Sequence, residues 1–220
     1  MHAAPAVGMS RLIRKNWVVL SSVPRTLGSR ACAGRFLAPI TEIVEIGFDT
    51  PFEGAKNQPW HRDFPSPLDT WQDWRITSLA FNLAGVDVTP DMVPFEVAPG
   101  TQYDDGPDWT HEMFPDKTLW PAFAARGLKK HPQMGDISCR SALMMHRGTA
   151  HPSPVARPVL VLGVDAPYSG HDALHDLMVA RDYLKARPRV VRDHLTCRVV
   201  DALVPLAQKP DIEGLVVGTE

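Results

Sequence analysis

Cysteine is scarce in this chain of 220 residues, charge is nearly balanced, and no apolar run is long. The three cysteines, Cys32, Cys139 and Cys197, lie far apart and form no CxxC pair, which argues against a disulfide framework and against a cysteine-rich zinc site. A reducing compartment, the cytoplasm, is the expected setting. A formal net charge of -2 provides no field to recruit nucleic acid or an anionic membrane, so neither is expected as a partner. Apolar runs such as Val159 to Val164 fall far short of the roughly 20 residues a transmembrane helix needs.

Acidic residues are also missing from the N-terminal region. None precedes Glu42, whereas Arg11, Arg14, Lys15, Arg25, Arg30 and Arg35 all do, a composition shared with organelle transit peptides. Against targeting, Trp17-Val18-Val19-Leu20 has the texture of a strand, and a structured N-terminal extension is the favoured expectation.

What the chain does have is punctuation. With 44% hydrophobic and 22% charged residues it is globular in composition, and 21 prolines and 15 glycines cut it into short segments. Ile43 to Phe48, Ile76 to Leu83, Val93 to Val97, Ile137 to Met145 and Val159 to Val164 are predicted strands. In the second of these, Thr77, Leu79, Phe81 and Leu83 point one way and Ile76, Ser78, Ala80 and Asn82 the other. Turn clusters at Ala98 to Thr101 and Met134 to Asp136 separate them, which predicts an all-β core over about 40–167. After Tyr168, apolar residues at helical spacing predict two helices within about 171–207, broken near Arg187-Pro188 and packed outside the sheets. The whole chain, 1–220, is expected to form one domain.

The chemistry concentrates in two clusters. In Gln58-Pro59-Trp60-His61-Arg62-Asp63, His61 and Asp63 are two apart, so an extended backbone presents both to the same side. An imidazole and a carboxylate together make two ligands for a divalent metal, and a second histidine would complete the arrangement of non-haem Fe(II) oxygenases. The segment from Met145 to Pro158 supplies His146 and then Arg157, eleven residues on, which opens an apolar strand. A guanidinium there suits the far carboxylate of a dicarboxylic acid. His151 competes with His146 as ligand, but its distance to Arg157 is shorter. Cys139 is expected as a buried free thiol in a strand.

In this order of motifs the chain resembles the phytanoyl-CoA dioxygenase family of Fe(II)/2-oxoglutarate oxygenases. The resemblance runs from about Ile43 to Val164 and rests on Gln58 to Asp63, Ala98 to Gln102, Gly135-Asp136, and His146-Arg147-Gly148 with Arg157. It implies a double-stranded β-helix, the cupin-like jelly roll, with flanking helices. It also implies Fe(II) held by His61, Asp63 and His146, with 2-oxoglutarate as cosubstrate and O2 as oxidant. Arg157 would grip the cosubstrate, with Thr149 and Gln58 as further cosubstrate residues, and Trp60, Trp74, Gln102 and His151 are candidates for the substrate pocket. Gln102 and His151 depart from the family's usual histidine and asparagine, which bears on the substrate more than on the reaction. Asp63 favours oxygenation over halogenation, because related halogenases carry a small residue there.

The reaction so implied is oxidation of a small molecule, such as an amino acid or natural-product intermediate, by hydroxylation, desaturation or cyclisation, with release of succinate and CO2. The enzyme would act as a monomer or homodimer. The alternatives are a cupin-type metalloenzyme that uses no cosubstrate, with Arg157 in a structural salt bridge, and a family member that binds a ligand without turnover.

Overall fold

A computed structural model describes residues 41–66, 72–104, 111–169 and 177–203. The expected strand at Trp17 to Leu20 lies outside them, as does the start of the first expected helix.

The larger sheet has four antiparallel strands in the order β1-β7-β2-β5. They are β1 (Glu42–Asp49), β2 (Ser78–Ala84), β5 (Ile137–Ser141) and β7 (Val159–Asp165). The register aligns Ile43, Val164, Leu79 and Ser141 in one row, then Glu45, Gly163, Ala80 and Arg140 in the next. Because successive residues face opposite ways, the two rows belong to opposite faces. One face gathers Ile43, Leu79, Phe81, Leu162 and Val164 into an apolar cluster. The other carries Glu45, Gly47, Ser78, Ala80, Asn82, Ser138 and Arg140, with Val159 and Val161 beside them. A one-residue bulge at Val44, between Ile43 and Glu45, sets Ile43 on the apolar face and Glu45 on the polar one. Gly163 is needed where it stands, since a Cβ there would come within 2.9 Å of the Glu45 Cβ.

The second sheet is smaller, in the order β4-β3-β6, with β3 (Glu96–Val97), β4 (Leu128–Lys129) and β6 (His146–Arg147). Bridges at His61↔His146 and Ala55↔His151 lay residues 55–61 along the free side of β6. Between β3 and β4 a short helix, α1 (Trp120–Arg126), begins with Pro121 in its first turn. The strand texture did not anticipate it, although Pro at a helix start and Ala122, Ala124 and Ala125 after it favour one. Phe123 of α1 packs with Trp60, Ala98 and Met145 into a second apolar cluster.

The predicted C-terminal helices are replaced by shorter elements. β8 (Met178–Ala180) pairs in parallel with β9 (Arg198–Val200), and between them lie only α2 (Arg181–Lys185) and α3 (Arg189–Arg192). Pro188 forbids continuation of α2. This segment meets the larger sheet at the edge of β1. Leu195 packs against its apolar face, and Ile43 is hydrogen-bonded through its N–H to the His194 carbonyl and through its carbonyl to the Thr196 N–H. Cys139 corrects another expectation, because it is exposed: its strand, β5, is an edge of the sheet. No helix among the described residues is long and apolar enough to cross a membrane.

Candidate metal centre

His61 and His146 form a reciprocal cross-strand pair. His61 N–H donates to the His146 carbonyl at 3.0 Å and His146 N–H to the His61 carbonyl at 2.8 Å, so both side chains leave the backbone on the same side. Their rings lie 4.4 Å apart between centroids. Asp63, two residues beyond His61, is anchored by its N–H to the Ala142 carbonyl at 2.9 Å. Ligand atoms of His61, Asp63 and His146 all fall within 4.8 Å of one another, a set of donors that fits one divalent cation and leaves coordination positions open.

The protonation pattern suits a metal. His61 Nδ1 faces the Pro59 carbonyl at 2.9 Å and His146 Nδ1 the Met144 carbonyl at 2.8 Å. Those contacts assign the N–H to Nδ1 and leave the Nε2 lone pairs for coordination. Burial and the neighbouring His146 push His61 down to about 3, and burial with Arg140 pushes His146 down as well, so both rings are neutral ligands at neutral pH. Burial alone would raise Asp63, but the Arg140 guanidinium outweighs it and holds the carboxyl below its usual range. Phe114 stacks on His61 and Phe95 packs on His146, with centroids at 5.8 and 5.3 Å.

Arg140, which no motif singled out, is part of this centre. From β5 it grips Asp63 with both ends of its fork, Nη1 to Oδ2 at 2.9 Å and Nη2 to Oδ1 at 3.2 Å, and Nη2 also lies 3.2 Å from His146 Nε2. The triad therefore sits between the two sheets. On the same polar face is Glu45, whose carboxyl is pushed up to about 7 by burial and by the charges of Asp63 and Asp165, with Arg140 opposing. A basic residue inside the predicted strand Ile137 to Met145 was the available signal for Arg140. The facing partners of Arg140 and Glu45 were not readable without the register.

Arg157 is buried just before β7, and its Nε has no hydrogen-bond partner. Its counter-charge is Asp49 of β1. Gly85 packs on the adjacent Pro158: a Cβ on Gly85 would lie 2.8 Å from the Pro158 carbonyl oxygen and 2.9 Å from its Cγ. Gly85→Ala is expected to cost about 1–3 kcal/mol of stability, read by urea unfolding, because backbone rather than a flexible side chain must yield.

Other expected site residues have different roles. The Thr149 hydroxyl donates to the Val93 carbonyl, with that of Pro94 at 3.1 Å, rather than assisting Arg157. The Gln58 side-chain carbonyl accepts the Gly148 N–H at 2.8 Å and pins the segment after His146. Trp60 is in the apolar core, against Phe123 and beneath the Arg147 guanidinium, which is paired with Glu96. His151 is fully buried with Nδ1 at 3.0 Å from the Met92 carbonyl and Nε2 at 2.8 Å from that of Val155. Both nitrogens face carbonyl oxygens, and a neutral imidazole has one N–H to donate to them. Trp74 is 69% exposed and stacks on Tyr103, not on the triad's rings. Gln102 lies on the turn Thr101–Tyr103 with its Oε1 buried.

No protein-family model and no curated protein matches this sequence. Solved structures do resemble it. The epimerase SnoN, solved with Fe3+, alpha ketoglutarate and nogalamycin RO, aligns with 71% of this chain and 61% of its own at 17% identity and a TM-score of 0.54. EctD from S. alaskensis, with 2-oxoglutarate and 5-hydroxyectoine, aligns with 67% of this chain and 55% of its own at 16% identity and 0.46. AviO1 from Streptomyces viridochromogenes Tue57 aligns with 64% and 57% at 16% identity and 0.48. The likeness to SnoN is one of fold, and the chain spans less than two thirds of each of these proteins.

Proposed function

We propose that this chain is an Fe(II)- and 2-oxoglutarate-dependent oxygenase of the phytanoyl-CoA dioxygenase type, acting on a small organic molecule such as an amino acid or natural-product intermediate. The observation that carries the reading is the convergence of two neutral imidazoles and one ionised carboxylate, His61, His146 and Asp63, between two sheets. The alternation of strands between the sheets supports a double-stranded β-helix, with β1, β2, β5 and β7 in one layer and β3, β4, β6 and residues 55–61 in the other. SnoN, solved with iron and alpha ketoglutarate, supports the choice of cofactors.

Bound at the triad, Fe(II) with 2-oxoglutarate and O2 supplies the oxidising chemistry, and succinate and CO2 leave. The chain's own contribution is placement. His61 and His146 direct their Nε2 atoms inward because their Nδ1 atoms are tied to carbonyls. Phe95 and Phe114 shield the rings from water. Arg157, buried and with Nε unpartnered, receives the cosubstrate's distal carboxylate.

A second reading draws on Asp49, which provides Arg157 with a counter-charge: a cupin-type metalloenzyme that uses no cosubstrate. Anaerobic calorimetry separates the two. Binding of 2-oxoglutarate that requires Fe(II) and is lost in Asp63→Ala is the expected result, and no metal-dependent binding would overturn the oxygenase reading.

A further inference from the structure

Asp63 Oδ1 and His146 Nε2 lie 3.1 Å apart. With the His146 proton on Nδ1, both are lone-pair atoms, and two such atoms at that distance need a cation between them. Arg140 Nη2, 3.2 Å from each, is that cation. A divalent metal bound by the triad would take the same two lone pairs, so metal and guanidinium exclude each other.

We propose that Arg140 is a displaceable occupant of the triad's cation position, which a divalent metal drives off Asp63 and His146 and onto Glu45. The inference rests on the metal-centre reading above and adds a control on loading.

Three features make the exchange feasible. First, a displaced guanidinium inside the protein needs an anion, and Glu45 is the carboxyl within its row. It shares a cross-strand row with Arg140 and interacts with it electrostatically, while its carboxylate has no hydrogen bond or ion pair among the described residues. Second, the two residues between them in that row, Gly163 and Ala80, are small, and the Glu45 side chain lies over Gly163, whose Cβ position is 3.2 Å from Glu45 Oε2. The path between Glu45 and Arg140 holds no bulky side chain from that row. Third, the present seat of Arg140 leaves its buried Nε without a partner, so the fork on Asp63 is not a fully satisfied resting place. Arg140 is here a positioning residue: it occupies the cation position between the carboxylate and the imidazole and opposes premature cation entry.

The test is calorimetric titration of the full chain, freed of metal by chelator, with Mn(II) alone. Mn(II) takes the same nitrogen and oxygen ligands without oxidising. Arg140→Gln is expected to bind Mn(II) more tightly than wild type, on the order of tenfold, since no resident charge must be displaced. Arg140→Lys, which keeps the charge, is expected to stay near the wild-type affinity. Glu45→Gln is expected to weaken binding on the order of tenfold, and to weaken it much less when Arg140→Gln is also present.

A merely structural arginine predicts the opposite for Arg140→Gln, because losing it would loosen the ligands. Equal or weaker binding by that variant, or the same Glu45→Gln effect in both backgrounds, would overturn the exchange while leaving the metal centre intact. If Arg140→Gln does not fold, the Glu45→Gln comparison decides: an affinity equal to wild type overturns the proposal, and a loss supports it. Mn(II) binding by neither wild type nor any variant would overturn both the exchange and the oxygenase reading.

Discussion

Asp63→Ala is expected to lower the unfolding free energy by about 3–5 kcal/mol, the range for breaking a buried ion pair by removing one partner. The loss comes from what remains. Arg140, whose side chain is 6% exposed, would retain its charge with the bidentate acceptor gone, the nearby His146 ring is neutral, and a move onto Glu45 would recover only part of the loss. Asp63 itself is 19% exposed, so some water would reach the gap and the effect should fall toward the lower end of the range. Adding Arg140→Met removes the stranded charge and puts an apolar side chain of similar reach in its place, and most of the loss should be recovered. Urea unfolding of the two single variants, the double variant and wild type, all treated with chelator, checks this. Additive losses would mean that the two side chains are not energetically coupled.

Arg157→Ala is expected to weaken 2-oxoglutarate binding to the metal-loaded chain by about 100-fold. Two charge-assisted hydrogen bonds from a buried guanidinium contribute roughly that much when each is worth about 1.5–3 kcal/mol and part is offset by desolvation. Arg157→Lys should restore only part of the affinity, because an ammonium keeps the charge but not the two parallel donors. Asp49 makes the experiment informative. It already interacts electrostatically with Arg157, so an affinity unchanged by Arg157→Ala would assign the arginine to balancing that charge and favour the metalloenzyme that needs no cosubstrate. Anaerobic calorimetry with Fe(II) present is the measurement.

The candidate ligands were legible because their geometry is local. A two-residue spacing in extended chain puts His61 and Asp63 on one side, and the order of motifs pointed to His146. The strands β1, β2 and β7 were legible for the same reason: alternating or continuous apolar residues and turn clusters are short-range signals. Val93 to Val97 shrank to Glu96–Val97, and Ile137 to Met145 ended at Ser141 in a turn, since strand ends depend on where a partner strand stops. The tail misled because apolar residues at helical spacing can equally be buried by short helices between paired strands. Thr149, Gln58, Trp60 and His151 were near the ligands in sequence, yet their hydrogen bonds and packing turned them to structural work.

By itself the sequence determined a globular β-rich chain with His61 and Asp63 on one side of an extended segment and with His146 and Arg157 as candidates to join them. These follow from composition, period and spacing, which act over a few residues. Only the tertiary structure decided that Arg140 reaches Asp63 from 77 residues away and that Glu45 lies in its row. Both depend on the register of four strands and on the bulge at Val44, and register is set by pairing between distant segments, to which no local pattern is sensitive.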